Sequence, residues 1–282
     1  MTASRVPQRI AILGLGVMGA SIGMALHRAG VAEVVGWDPD ADAVEAAREL
    51  GAVGQSVTSP ECAVSSAELI TLAAPVPVIP ELASHIVPHM RDDAVVTDIG
   101  SVKTPIVQQC ERLLGERFVG GHPMAGTEMH GARHANPAML RDAPWILTPT
   151  ARTSEESLML VRDLIASLGA RPVTMEPDEH DRLVAYISHL PHAVAFALAA
   201  AVHTSVEPDG LALAGGSFRS GTRVAASDPS VWSHIMVQNA GHVTAALDRL
   251  LPILASIRDA AARGDVAALS CLLASRDCPP RP

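Results

Sequence analysis

Arg9-Ile-Ala-Ile-Leu-Gly14-Leu-Gly16-Val17-Met18-Gly19 is a short apolar run that opens directly into three glycines spaced G-x-G-x-x-G. Such a run predicts a strand buried on both faces. Residues 20–30 follow with helical periodicity and stop at Gly30. A second apolar run, 33–37, leads into Asp38, 19 residues after Gly19. Strand, glycine turn, helix, strand and acid in this order predict a βαβ unit that holds a dinucleotide. Gly14 permits the tight turn, Gly16 lets the backbone approach a pyrophosphate, and Gly19 lets the helix pack close to the strand. The free N–H groups of the first helical turn, at Val17 and Met18, face the phosphates. A carboxylate at Asp38 binds the adenosine ribose hydroxyls and repels a 2′-phosphate, so NAD is expected rather than NADP.

The pattern continues outward. Helices are expected over 40–50, 78–87, 104–114 and 154–168, and strands over 67–74, 94–99, 117–119, 143–149 and 171–175. This alternation predicts a parallel sheet with helices on both faces. Ligands of such sheets lie beyond the carboxyl ends of the strands, and Pro75, Gly100, Ser101 and His122 all fall there. Glu176-Pro177-Asp178 reads as a hand-over between domains, giving 1–176 as an NAD-binding Rossmann-like domain and 177–282 as a helical one. The helical part has no strand signal. It reads as a long apolar helix over 178–203 with Pro191 as a kink site, then helices over 209–217, 229–263 (broken at Pro252) and 265–275, with a fraying tail from Arg276.

The chemistry-bearing residues centre on Gly120-Gly-His122-Pro-Met-Ala-Gly-Thr127-Glu128, read as a turn-rich loop just past a short strand. A histidine titrates near neutrality and can accept a hydroxyl proton as hydride leaves; the plainer reading is a loop histidine satisfied by backbone. Ser101 can bond a substrate hydroxyl or cap the helix that follows. Thr127 and Glu128 can wall a pocket or line a solvated turn. Arg219 and Arg223 flank Gly221-Thr222, and arginine pairs with a carboxylate through two parallel hydrogen bonds; surface ion pairing is the alternative, more so for Arg219. His180, His189 and His192 invite a metal reading, as do His130 and His134. However, Pro191 interrupts the first group and no carboxylate or cysteine completes a set, so no metal is expected.

Composition limits the function classes. The 282 residues are 48% apolar and 18% charged, enough for a sizeable core, with 2% aromatic. A formal charge of −9 argues against nucleic acid as partner, which needs a basic face. Cys62, Cys110, Cys271 and Cys278 have no C-x-x-C spacing and read as free thiols of a reducing compartment. Residues 1–8 lack a signal pattern. The apolar run 183–202 is interrupted by Ser188, His189, Pro191 and His192, so a buried helix is expected there rather than a membrane span, and a cytoplasmic protein overall.

Taken together, these residues resemble the prephenate/arogenate dehydrogenases of tyrosine biosynthesis. The resemblance covers nearly the whole chain. It rests on Gly14-Leu-Gly-Val-Met-Gly19, Asp98-Ile-Gly-Ser-Val-Lys103, Gly121-His-Pro-Met-Ala-Gly126-Thr-Glu, His180-Asp with Ile187-Ser-His-Leu-Pro-His192, and Thr222-Arg223 with Ser227-Asp-Pro and Trp232. It implies a Rossmann domain followed by a helical dimerisation domain, and hence a homodimer. It implies oxidative decarboxylation of a cyclohexadienyl acid, with His122 as base at the C4 hydroxyl, Ser101 assisting and Arg223 on a substrate carboxylate. Thr127, Glu128 and His189 would line the pocket. Some members carry an extra regulatory or chorismate mutase domain; neither is expected here, so any tyrosine inhibition would act at the substrate site. The glycine motif also resembles the β-hydroxyacid dehydrogenases, but those use a lysine of the second domain, and Lys103 is the last lysine here. A non-catalytic NAD-binding protein on the same fold and an enzyme for a 4-amino-4-deoxyprephenate analogue stay open at this point.

Overall fold

The computed structural model describes residues 7–31 and 33–274; the tail expected to fray from Arg276, with Cys278 in it, lies outside the described residues. Strand β1 (Arg9–Leu13) turns Ile10 and Ile12 into one apolar cluster and Ala11 and Leu13 into another. Period-two alternation with both sides apolar makes it a strand covered on both faces. Strands β2 (Glu33–Trp37), β3 (Gln55–Ser56), β4 (Leu69–Leu72), β5 (Val95–Asp98), β6 (Phe118–Pro123), β7 (Pro144–Thr148) and β8 (Arg171–Thr174) complete an eight-stranded sheet in the order β3-β2-β1-β4-β5-β6-β7-β8. Helices α1 (Val17–Arg28), α2 (Ala41–Glu49) and α6 (Glu155–Ser167) cover one face. Helices α3 (Pro60–Val64), α4 (Ile79–Ile86) and α5 (Thr104–Leu114) cover the other.

The sheet is the mostly parallel one expected, with a departure at one edge. β7 pairs antiparallel with β6, and β8 then runs parallel to β7. Between β6 and β7 the chain makes only two 3-10 turns, Ala132–His134 and Pro137–Leu140. A parallel return needs a crossover, usually a helix, whereas an antiparallel return does not. The polar two-residue β3 and the five-residue α3 lack the length for any period to show and were not expected.

His122 corrects a second expectation. It stands inside β6, paired with Ile146 of β7, and not in a loop beyond the strand. Glycine and proline are poor strand formers, but Gly120 and Gly121 lie where a Cβ would meet Thr148 Oγ1 at 2.4 Å and Asp98 O at 2.6 Å, so only glycine fits between these strands.

Beyond the sheet come α7 (Pro177–Val184), a π-helical turn (Ala185–His189), α8 (Leu190–Ser205), α9 (Pro208–Leu211), α10 (Gly216–Thr222), α11 (Pro229–Gln238), α12 (Ala240–Ala262) and α13 (Val266–Leu273). The irregularity expected at Pro191 is this π turn, just before the proline. The helix expected over 229–263 breaks at Asn239, not Pro252, which sits inside α12. Asp248, whose carbonyl Pro252 cannot bond, is exposed to water, so the interruption is tolerated. The long apolar helix expected to be buried is not covered within one chain. The helical stretch 177–205 is long enough to cross a membrane and holds an 18-residue window of mean hydropathy 1.5, yet only 22% of that window is buried. In α8 only Ala195 is buried.

Candidate active site

The glycine turn after β1 is built as a cradle. Gly14 has φ +104°, and a Cβ there would meet Ala73 O at 2.3 Å; at Gly19 it would meet Gly14 O at 1.9 Å. At Gly16 a Cβ would meet nothing within 4 Å. So two glycines close the turn and the third faces open space. Helix α1 begins at Val17 with no side chain capping it, leaving the amides of Val17, Met18 and Gly19 free for an anion. Asp38 follows β2 directly. One carboxylate oxygen accepts from Leu15 N at 2.6 Å and the other from Asp40 N at 2.8 Å, so the acid is fixed against the turn. An open glycine, an uncapped helix start and an anchored carboxylate suit a dinucleotide with free ribose hydroxyls. Pro75 is exposed just past β4, at the same edge of the sheet.

Five charged or imidazole groups, Asp98, Lys103, His122, His180 and Asp181, meet where β5 and β6 end. Asp98 closes β5 and pairs with Lys103, both wholly buried. Asp98 also accepts from Gly100 N at 2.8 Å and Gly121 N at 3.0 Å, while Lys103 Nζ donates to Gly121 O at 2.7 Å. A buried ion pair is tolerable when its remaining donors and acceptors are met, as here. Burial pushes the Lys103 ammonium down, and Asp98 opposes this. The pair ties the residue preceding His122 to the end of β5.

His122 is buried, with Nδ1 2.8 Å from His180 Nε2. His180 Nδ1 lies 2.8 Å from Asp181 Oδ1. Asp181 reaches back: its two oxygens accept from Lys103 N at 2.7 Å and Thr104 N at 2.8 Å, the first amides of α5. Ser101 therefore does not cap that helix. It is half-buried, and its hydroxyl bonds no described residue. Burial first, then positive charge on His180, Lys103 and His189, holds His122 well below the usual histidine range, so it is neutral at pH 7. His180 is also lowered by burial, against the pull of Asp181. Burial would raise the Asp181 carboxyl, but hydrogen bonds from His180 and the two amides outweigh it and hold it below its ordinary value.

The helical half supplies a wall. His189, in the π turn, is buried; its Nδ1 lies 3.2 Å from Asn239 Nδ2, and its Nε2 has no partner among the described residues. Burial lowers its pKa to about 4. π turns inside helices recur at functional sites. Asn239 Nδ2 also donates to Asp181 O at 2.7 Å, which explains the break between α11 and α12. Trp232 stands edge-on to His189 and stacks on His192, with ring centroids 6.0 and 3.4 Å away. At the rim, Arg223 Nη1 donates to Glu128 Oε2 at 2.9 Å, joining the helical half to the loop after β6. Thr127 is exposed and accepts from Met129 N at 3.2 Å, so it closes its own turn. Arg219 is exposed on α10, with no ion pair among the described residues, and no contact brings it to this cluster.

Sequence reasoning singled out His122, His189 and Arg223 but gave no role to Asp98, Lys103, His180, Asp181 or Asn239. The contacts that bring the sheet residues to the helical half, and Asp181 to Asn239, join positions 58 or more residues apart, and no spacing rule reaches that far. The one available signal was the solitary lysine, five residues after an acid at a strand end.

The sequence pattern described as "Prephenate dehydrogenase, nucleotide-binding domain" matches residues 22–174, and that described as "Prephenate dehydrogenase, dimerization domain" matches residues 176–275. Cyclohexadienyl dehydrogenase of Zymomonas mobilis subsp. mobilis is 33% identical over 264 residues, which is 92% of this chain and 90% of that protein. The crystal structure of prephenate dehydrogenase from A. aeolicus, in complex with hydroxyphenyl propionate and NAD+, is similar with a TM-score of 0.88 and 34% identity, covering 97% of this chain and 96% of that one. Arogenate dehydrogenase of Synechocystis gives a TM-score of 0.78 and 30% identity over 94% and 96% of the two chains. With both halves matched in order and a third of the residues shared along nearly the whole length, the chain belongs to the prephenate dehydrogenase family.

Proposed function

We propose that this NAD-dependent oxidoreductase performs the oxidative decarboxylation of a cyclohexadienyl acid: prephenate to 4-hydroxyphenylpyruvate, or arogenate to tyrosine. The observation that carries the reading is the His122 imidazole, buried near the end of β6, three strands along the sheet from the strand that carries the glycine cradle, neutral, and with Nδ1 already engaged. Its Nε2 is then the nitrogen that takes the C4 hydroxyl proton. Gly14, Gly16, Gly19 and Asp38 would hold NAD, which would supply the acceptor for the hydride of ring C4. Ser101 orients the hydroxyl from the turn after β5. The unpartnered Nε2 of His189 offers a hydrogen bond to a substrate oxygen. Arg223, with Nη1 on Glu128, keeps other N–H groups for a carboxylate. Thr127 and Glu128 complete the rim, while Arg219 stands outside it. Carbon dioxide leaves C1 as the ring becomes aromatic, so much of the protein's task is orientation.

The division of labour falls at about residue 176. A second copy of the chain covers the apolar side chains left exposed by α8, α12 and α13, among them Leu198, Leu251, Ile253, Leu254 and Leu273, and the homodimer works in the cytosol. Replacing Leu254 by Asp should convert the dimer to monomer in light scattering, while a wild-type monomer would refute the pairing.

Purified protein assayed with prephenate, arogenate and 4-amino-4-deoxyprephenate, each with NAD+ and NADP+, tests the activity. NADH formation from one of the first two is expected; NADH from none of the three would refute it. His122→Asn should lower kcat by ~10²-fold or more with KM little changed. An unaltered kcat would remove His122 as the base.

A further inference from the structure

Loss of hydride and carbon dioxide from a cyclohexadienyl acid releases no net proton, because the phenol keeps a hydroxyl hydrogen. A base that takes this proton must return it within the turnover. This consideration rests on the reading of His122 as that base. The surroundings of His122 resist a resident positive charge: it is buried, and Lys103, His180 and His189 face it from the β5–α5 turn, α7 and the π turn. Negative charge lies one residue further off, at Asp181, with Asp98 committed to Lys103.

The hydrogen bonds admit one direction. Asp181 as a carboxylate only accepts, and it already takes the amides of Lys103 and Thr104. His180 Nδ1 must therefore carry its hydrogen toward Asp181, 2.8 Å away. His180 Nε2 is then an acceptor, and His122 Nδ1, 2.8 Å from it, must be the donor. That leaves His122 Nε2 unprotonated. We propose that His180 and Asp181, contributed by the helical half, form a relay that fixes the His122 tautomer and stores the hydroxyl proton between its removal and its return.

In the forward direction the substrate O–H bond breaks and an N–H bond forms at His122 Nε2. His122 Nδ1–H passes its hydrogen to His180 Nε2, and His180 becomes an imidazolium held against the Asp181 carboxylate. The reverse sequence restores the hydrogen to the phenolate oxygen, so the protein ends unchanged. His180 and Asp181 act through His122 and are positioning residues. Since Asp181 also caps α5, the tautomer of the base depends on the docking of the helical half onto the sheet.

Steady-state kinetics of the full-length enzyme against pH, for wild type, His180→Gln, Asp181→Asn and His122→Asn, test this, with NAD+ binding confirming that each variant is folded. Glutamine at 180 can accept from His122 Nδ1 but cannot carry the proton onward. His180→Gln should lower kcat about 10-fold or more with KM within about twofold. Asp181→Asn removes a negative charge that favours protonated imidazole, so the acid limb of kcat/KM should move to lower pH. Packing or capping by Asp181 without any action of its charge on the imidazoles would leave that limb in place, and the kcat of His180→Gln then separates proton transfer from charge alone. Imidazole 15N NMR should show His122 protonated at Nδ1 in the wild type. If His180→Gln keeps wild-type kcat, or the acid limb of Asp181→Asn does not move, the relay is wrong while an inactive His122→Asn keeps the base. If His122→Asn is fully active, base and relay fall together. Should Asp181→Asn not fold, His180→Gln and the NMR tautomer decide.

Discussion

The sheet half and the helical half differ in how much apolar surface each covers for itself. Two apolar clusters cover both faces of the sheet, and β4, β5 and β6 are buried at every position. Helices α9, α10 and α13 bury nothing and α8 buries one alanine, yet the same half buries His180, Asp181, His189, Ser227 and Asn239. One half is held by apolar area of its own. The other is tied to it through hydrogen-bonded polar groups around the site, and its apolar faces are those we assign to a second copy. The geometry of the candidate site is therefore built into the contact between halves.

The strongest way to break that contrast is Lys103→Met. The variant leaves Asp98 buried without its cation, and it loosens the turn that Asp181 caps. Removing one partner of a buried pair costs ~3–5 kcal/mol, so a large loss in urea unfolding is expected, with the helical half releasing before the sheet. A loss below about 1 kcal/mol, the scale of an exposed pair, would mean that the buried pair does not hold the turn on which Asp181 of the helical half docks.

Acid should act on the same contact more gradually. His122, His180 and His189 all have pKa values lowered in the folded protein, chiefly by burial. Below the unfolded value of about 6.5 the unfolded chain binds protons that the folded chain does not, so stability is full above that pH and falls with it. For His189 the window closes at about 4. Each such histidine contributes up to ~1.4 kcal/mol per pH unit inside its window. Asp181, held below its ordinary value, acts in the same direction at still lower pH. Urea midpoints that stay level between pH 7 and 5 would contradict neutral burial of this cluster.

The contrast also sets what could be read from residues alone. Strands 33–37 and 94–99 and helix 104–114 were legible because each repeats its period over several residues and ends at a marker such as Asp38, Gly100 or Gly115. The cradle was legible because the chemistry of Gly14, Gly16, Gly19 and Asp38 is local. The direction of β7 was not, since pairing depends on how the chain returns from β6 and not on the composition of β7. Gly-Gly-His-Pro had the composition of a loop, and only the close approach of β5 and β7 explains its place in a strand. The exposure of 190–205 was illegible for a further reason: an apolar helix reads the same whether its own chain or another copy covers it. The polar hub draws on positions 98, 103, 122, 181 and 239, which nothing but the folded chain brings together.

The smallest expected effects sharpen the difference between two arginines that looked alike in Ser217-Phe-Arg219-Ser-Gly-Thr-Arg223. Arg223 crosses from the helical half to Glu128 and sits beside His192, whose protonation it opposes. Arg219 has no ion pair among the described residues and lies on the exposed side of α10. Deleting a charge-assisted pair to a carboxylate costs about 1.5–3 kcal/mol, so Arg223→Ala should raise KM by roughly 10- to 100-fold with kcat nearly kept, because uniform binding is lost rather than stabilisation of the transition state alone. Arg219→Ala should change KM less than about twofold, as expected for an exposed side chain away from special contacts. Equal rises in KM for the two variants would show that α10 turns both guanidinium groups toward the substrate, and that the helical half closes further over the sheet than the Glu128–Arg223 contact alone requires.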